Sequence, residues 1–274
     1  MSSSATTPVS PGNPFAHESL DKYHRRHRST PSRSLGQRLS RGLGNVAERL
    51  VVAFSAHGDV PVFDNAVFPW VRDVEADWRK VRAELDRIMT FRDQMPSFQD
   101  IMKEVGNIQQ DDDWKTFFLK AVGMDTLENA KRCPETMKLL EKIPGCTTAF
   151  FSILSPGKHI PAHRGPYVGV LRLHLALLVP EPRERCRIRI ANQIHVWEEG
   201  KVVIFDDTYN HEVWNDTDGY RVVLFVDFER PLRAPMRWLN HWFMNWARVA
   251  PFLREAKTKQ KAWEQKFYGG QPPV

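Results

Sequence analysis

Apolar residues recur with a helical period before Gly145 and a strand period after it. From Val71 to Met89, the residues Val71, Val74, Trp78, Val81, Leu85 and Ile88 stand three and four apart with charges between them, which predicts an amphipathic helix. A second helix is predicted from Pro134 to Lys142, where Pro134 suits a first helical position and Met137, Leu139 and Leu140 supply an apolar side. A shorter amphipathic segment, Val46 to Phe54, carries Val46, Leu50, Val51 and Phe54, and is too short to span a membrane.

Beyond Gly145 come short runs rich in β-branched residues and leucine: Thr148–Leu154, Val170–Val179, Arg187–Ala191, Gln193–Trp197, Val202–Phe205, His211–Asn215 and Arg221–Asp227. Turn residues divide them at Pro156-Gly157, Pro180 to Pro182, Glu199-Gly200 and Asp216 to Gly219, and Ala191-Asn192-Gln193 suits a tight hairpin. Strands this short and this regularly spaced predict a mainly β fold with flanking helices. Its core would be a double-stranded β-helix of jelly-roll or cupin-like type, with an N-terminal helical buttress and a C-terminal amphipathic helix. The chain divides accordingly into a disordered basic tail (1–44), a helical part (45–145), the β core (146–233) and a Trp-rich segment (234–274).

Composition adds limits. With 274 residues and 42% hydrophobic content the chain can bury a good-sized core, and no apolar run nears the length of a spanning helix. The N-terminus lacks the apolar region of a signal peptide. Cys133, Cys146 and Cys186 are odd in number and lack zinc spacing, which fits a reducing, cytoplasmic setting. The net charge of +6 is concentrated partly in a tail holding His24-Arg25-Arg26-His27-Arg28 and Arg33, Arg38 and Arg41. No motif for reading bases accompanies it, so no nucleic-acid partner is expected. Trp238, Trp242 and Trp246 recur every four residues, with Phe243 near them and Arg237, Arg248 and Arg254 around. That pattern suits either packing on the core or a membrane interface, and residues 236–252 with the basic tail are a candidate peripheral contact on the inner face of a membrane.

Three β-region residues suggest chemistry: His163 in Pro161-Ala162-His163-Arg164-Gly165-Pro166, His211, and Arg221 ten residues beyond it. Two imidazoles from a rigid barrel can bind iron side by side, and a strand arginine can grip a dicarboxylate in a bidentate fork. Singly, each is more often a surface or hydrogen-bonding residue. Their order along one run of strands is what points to a site.

The sequence from about Phe63 to Arg233 resembles the aspartyl/asparaginyl β-hydroxylases, a family of Fe(II)- and 2-oxoglutarate-dependent dioxygenases that includes bacterial hydroxylases of lipid A acyl chains. The resemblance rests on Ser155-Pro156-Gly157-Lys158-His159, Leu171-Arg172-Leu173-His174-Leu175, Ile190-Ala191-Asn192, Trp197-Glu198-Glu199-Gly200-Lys201-Val202, Phe205-Asp206-Asp207, His211-Glu212-Val213-Trp214, and Asp227 with Arg230-Pro231. It implies His163 and His211 as iron ligands, and Arg221 with Ser152 at the distal carboxylate of 2-oxoglutarate. Arg172 and His174 would lie near the cosubstrate's other end, and Trp114 would line the same cavity. It also implies O2 as co-substrate, ascorbate at most as a stimulant, and hydroxylation of an unactivated C–H.

Two residues after His163, where many such oxygenases place a ligating carboxylate, stands Gly165. The lipid A hydroxylases carry Asp there, and the animal-type enzymes carry Gly and work with two histidines and water. Asp206 or Asp207 could reach the metal, but adjacent acids at a strand end more often fix a turn or a nearby water. The substrate reading is an acyl chain of a membrane lipid, of lipid A or ornithine-lipid type. The alternative is an Asp or Asn side chain in a peptide or amino acid, and a halogenase ranks below both.

Overall fold

The computed structural model of the protein describes residues 13–23, 45–102, 108, 110–121, 128–247 and 251–269. Ten strands form two antiparallel sheets. They are β1 (Val62–Phe63), β2 (Trp114–Lys120), β3 (Cys146–Leu154), β4 (His159–His163), β5 (Val170–Leu178), β6 (Cys186–Ile190), β7 (Gln193–Val196), β8 (Val202–Phe205), β9 (His211–Asn215) and β10 (Arg221–Glu229). The large sheet runs β1-β8-β5-β10-β3-β2 and the small one β4-β9-β6-β7. This is the double-sheeted, mainly β architecture with flanking helices that the strand spacing predicts.

Strand alternation separates two cores. On β3, Phe151 and Ile153 point to one side with Leu171, Leu173 and Leu175 of β5 and Val222, Leu224 and Val226 of β10, in a cluster shared with Val74, Val81, Leu85 and Leu139 of the helices. On the other side Phe150, Leu154, Ala176, Val223 and Phe225 meet Ile188, Ile190 and Val213 of the small sheet. Trp114, Ser152, Arg172, His174 and Arg221 share this inward parity, so the pleat that builds the barrel core also delivers the polar residues into it.

The helices buttress the large sheet. Residues 45–53 form α1, followed by α2 (Val71–Ala76), α3 (Trp78–Met89), α4 (Phe98–Ile101), α5 (Glu128–Lys131), α6 (Pro134–Glu141), α7 (Met236–Ala247) and α8 (Pro251–Tyr268). The single helix predicted over 71–89 breaks at Asp77, whose carboxylate binds Lys142 at 2.6 Å. The break lets Trp78 reach Gly200, which has φ +80°, and a Cβ there would stand 2.6 Å from the indole nitrogen. Glu84, buried among the apolar residues of α3, accepts hydrogen bonds from Glu135 N, Thr136 N and Thr136 Oγ1 at 2.8, 2.8 and 2.6 Å. It caps the first turn of α6 from outside.

Three further differences have physical causes. β2, within the part read as helical, is a strand of the large sheet because Phe117, Phe118 and Leu119 bury against both cores. His163, read as lying in a loop, ends edge strand β4, whose Pro161 is tolerated because an edge strand has an unpaired side. Residues 13–23 lie inside the stretch read as an unpacked tail, yet Tyr23 is buried against Ala191 and Tyr209, Asn13 Nδ2 donates to Asn192 O at 2.7 Å, and Asn192 Nδ2 donates to Glu18 O at 2.9 Å. The remainder of that tail falls outside the described residues.

Candidate active site

β4 and β9 pair so that His163 stands directly across from His211, their rings 4.1 Å apart between centroids. Each ring is fixed by the same local device. His163 Nδ1 bonds Pro161 O at 2.8 Å and His211 Nδ1 bonds Tyr209 O at 3.0 Å. A carbonyl only accepts, so each Nδ1 carries the proton and each Nε2 keeps a free lone pair. Burial lowers the pKa of His163 to about 4 and that of His211 well below the usual imidazole range, so both rings are neutral at pH 7. Two neutral, oriented imidazoles side by side are a fitting donor pair for one divalent metal. Among the described residues no group of three or more His, Cys, Asp or Glu side chains is arranged to hold one.

The space beside them is occupied from an unexpected direction. Gly165 N donates to Asp207 O at 2.7 Å, and a Cβ on Gly165 would overlap the Asp207 carboxylate. That carboxylate is buried, and its nearest cation is Arg172, whose guanidinium nitrogen lies 2.8 Å from Oδ2. The angle is outside hydrogen-bond geometry, which leaves both oxygens without a hydrogen-bond partner. Burial outweighs Arg172 and raises the Asp207 pKa to about 7. Arg172 is itself held by Asp227 through a two-pronged contact at 2.9 and 3.1 Å, and stacks over Phe225. Burial opposes its charge, but Asp207 and Asp227 more than offset that and its pKa is raised.

Deeper in the barrel the polar groups lack partners. His174 lies among Phe205, Phe225 and Trp197, with neither ring nitrogen hydrogen-bonded. Arg221 is 1% exposed and lies over the Trp197 ring at 4.6 Å. It reaches Ser152 O and Oγ only at 3.4 and 3.5 Å, and its Nε has no partner. Trp114 Nε1 donates to Ser152 Oγ at 3.0 Å, which aims the hydroxyl, and Trp197 Nε1 is buried and unbonded. Burial lowers the Arg221 pKa to about 10. A buried guanidinium without a carboxylate is costly, and an anionic ligand with acceptor oxygens would remove the cost. The unpaired Arg221, His174 and Trp197 thus fit an acidic small molecule lying along the barrel axis.

Contacts link the seven residues singled out in the sequence: His163 faces His211, which packs on Phe205 with His174; His174 and Arg172 both meet Phe225; and Arg221 touches Trp197 and Ser152, to which Trp114 donates. Missing from that set are Trp197 as the face under Arg221, Asp227 as the clamp on Arg172, and Asp207 as the group filling the gap at Gly165. Inward parity on β10, where Arg221, Val223, Phe225 and Asp227 share a face, could have found Asp227.

The two facing histidines and the buried Arg221 place a candidate active site inside a double-stranded β-helix. A family model for aspartyl/asparaginyl beta-hydroxylase matches residues 75–231, and the chain belongs to that hydroxylase family. The ornithine lipid ester-linked acyl 2-hydroxylase of Rhizobium tropici is 51% identical over 222 residues, covering 81% of this chain and 79% of its own, so the likeness is to the lipid-hydroxylase branch. The human aspartyl/asparaginyl beta-hydroxylase is 37% identical over 172 residues, which are 61% of this chain but 22% of the human protein. A Pseudomonas putida prolyl-4-hydroxylase of known structure aligns over 56% of this chain and 87% of its own, at 17% identity and a TM-score of 0.39.

Proposed function

We propose that this hydroxylase uses iron(II) and 2-oxoglutarate to hydroxylate an acyl chain of a membrane lipid, of the ornithine-lipid type. The observation that carries the cofactor reading is Arg221, a buried cation beside Ser152 with no carboxylate of its own. His163 and His211 would hold the iron through Nε2. Arg221 and Ser152 would grip the distal carboxylate, and Arg172 and His174 would face the other end. When bound, the metal and cosubstrate would supply oxidative decarboxylation of 2-oxoglutarate by O2 to succinate and CO2, one atom of the O2 entering succinate and the other a C–H bond of the substrate. The chain's own share is orientation and dryness. The Nδ1 bonds to Pro161 and Tyr209 lock the imidazoles, and Phe205, Phe225 and Trp197 exclude water around His174.

The lipid substrate is supported by the Rhizobium relative, whose name specifies an ester-linked acyl 2-position and whose match spans most of both chains. Asp or Asn side-chain hydroxylation is the second reading, favoured by Gly165 and the human relative. Halogenation is disfavoured, because the volume that a missing side chain at Gly165 would leave for a halide is filled by an acidic group, Asp207. The test is lipid mass spectrometry of cells lacking the gene, carrying it, or carrying His211→Ala. A lipid one oxygen atom heavier, present only with the intact gene, is the expected result. An unchanged lipidome, with succinate released in the presence of candidate peptides, would replace the lipid reading by the Asp/Asn one.

A further inference from the structure

The surface formed by α1 and α7 is apolar where water-facing surfaces are ordinarily polar. Eleven large apolar side chains are exposed among the described residues, and seven of them stand on two helices: Val46 and Leu50 on α1, and Trp238, Leu239, Trp242, Phe243 and Trp246 on α7. The three tryptophans are 63%, 67% and 61% exposed. At about 100° per residue the five α7 residues share one face. A patch of this kind marks an interaction site.

Packing fixes which way the face points. Asn240, on the opposite side of α7, is buried; its Nδ2 donates to Gly169 O at 3.0 Å and its Oδ1 accepts from Tyr167 OH at 2.5 Å. Phe243 touches Tyr167, with ring centroids 4.9 Å apart. The end of α1 is stitched to the start of α7 by Arg233 N to Phe54 O at 2.8 Å and Ala56 N to Pro231 O at 2.9 Å, and Val51 packs with Val168 and Leu232. Both helices therefore grip residues 167–169, the loop that leads from His163 into β5. The tryptophans cannot rotate inward without breaking the Asn240 contacts.

We propose that α1 and α7 form a docking face that seats the protein in the head-group layer of an anionic lipid bilayer, with the His163 loop held against the membrane surface. Tryptophan is the residue type suited to that layer, because its ring is apolar and its N–H is polar. Charge supports a bilayer over a protein partner. Arg49, Arg233 and Arg237 are exposed on or beside the two helices, and the sequence entering α1 adds Arg33, Arg38 and Arg41. Stable peripheral binding takes two signals, and an aromatic wedge with a basic cluster supplies them. No helix among the described residues is long and apolar enough to cross a membrane. The inference extends the lipid reading of the active site but rests on surface chemistry, so vesicle binding can succeed or fail independently of catalysis.

The test is flotation of the full-length protein with phosphatidylcholine vesicles and with mixed phosphatidylcholine/phosphatidylglycerol vesicles, beside light scattering in their absence. The expected result is flotation with the mixed vesicles, weakened by added salt. Trp238→Ser/Trp242→Ser/Trp246→Ser should lower partitioning at least tenfold, about 1.4 kcal/mol, with an unchanged circular dichroism spectrum. Should the triple variant misfold, Trp242→Ser alone should still lower partitioning measurably. Undiminished flotation of a folded variant overturns the proposal. So does a wild-type dimer that ignores vesicles and dissociates on Trp242→Ser, which would make the face a contact between two copies of the chain.

Discussion

Gly165→Ala is the sharpest probe of how the histidine end of the barrel is built. The added methyl would overlap the Asp207 carboxylate, and neither side can yield easily. Gly165 N is bonded to Asp207 O at 2.7 Å, which ties the two backbones together, and Asp207 is 1% exposed, so its side chain has no solvent to swing into. Displacing the carboxylate separates it from Arg172, now 2.8 Å away. Breaking a buried ion pair costs roughly 3–5 kcal/mol, and partial relaxation of the loop brings the expectation to about 2–4 kcal/mol. In a chain of this size each kcal/mol moves the melting temperature by about 2–4 °C, so Gly165→Ala should melt roughly 5–15 °C below the parent. Thermal denaturation followed by circular dichroism reads this directly. The double variant Gly165→Ala/Asp207→Gly should recover much of the loss, because the carboxylate that the methyl strikes is gone. Likewise Gly165→Asp should weaken Mn(II) binding in calorimetry, and Gly165→Asp/Asp207→Gly should restore it. A Gly165→Ala protein melting within about a degree of the parent would show that Asp207 can move aside for the methyl without loss.

Three other outcomes follow from the same contacts. Arg221→Lys keeps the charge but loses the fork, so KM for 2-oxoglutarate in a succinate-release assay should rise roughly ten- to hundredfold, and an unchanged KM would remove the carboxylate anchor from the proposed function. His195 has a buried Nε2 without a partner, and burial lowers its pKa to about 4 from 6.5. The unfolded chain takes up that proton first as pH falls. The stability this group confers is therefore complete above about pH 6.5 and lost progressively down to about pH 4, by roughly 2–3 kcal/mol, and urea melts of His195→Gln should show a correspondingly shallower acid dependence. Tyr23→Ala should speed proteolytic removal of residues 13–23 while lowering the main melting temperature by only a few degrees, because those residues dock through few contacts; unchanged proteolysis would show that Tyr23 does not hold them.

What could be read in the sequence was whatever depends on periodicity along one segment. The apolar runs of β5 and β10 were visible because both faces of those strands are buried, and Arg221 stood out as the charge that opens the second run, whereas Arg172 and His174 came only from the family resemblance. β4 was invisible because an edge strand with exposed His159, Pro161 and Ala162, and an irregular register between Ile160 and His163, has no alternation to detect. Glu84 sits where α3 repeats its apolar positions, and only α6, fifty residues on, explains why a carboxylate can be buried there.

Gly165 and Asp207 show why local reading fails beside the two histidines in particular. A glycine two positions after a histidine reads as a lost ligand, and an acid at a strand end reads as a turn residue. The meaning of each depends on the other, and the link is one backbone hydrogen bond between segments forty-two residues apart. A carboxylate does stand at Gly165, but it comes from Asp207 and is answered by Arg172. Burial raises the Asp207 pKa despite Arg172, so the group that fills the space at Gly165 is an acid whose charge is held against its surroundings, which a glycine read alone could never suggest.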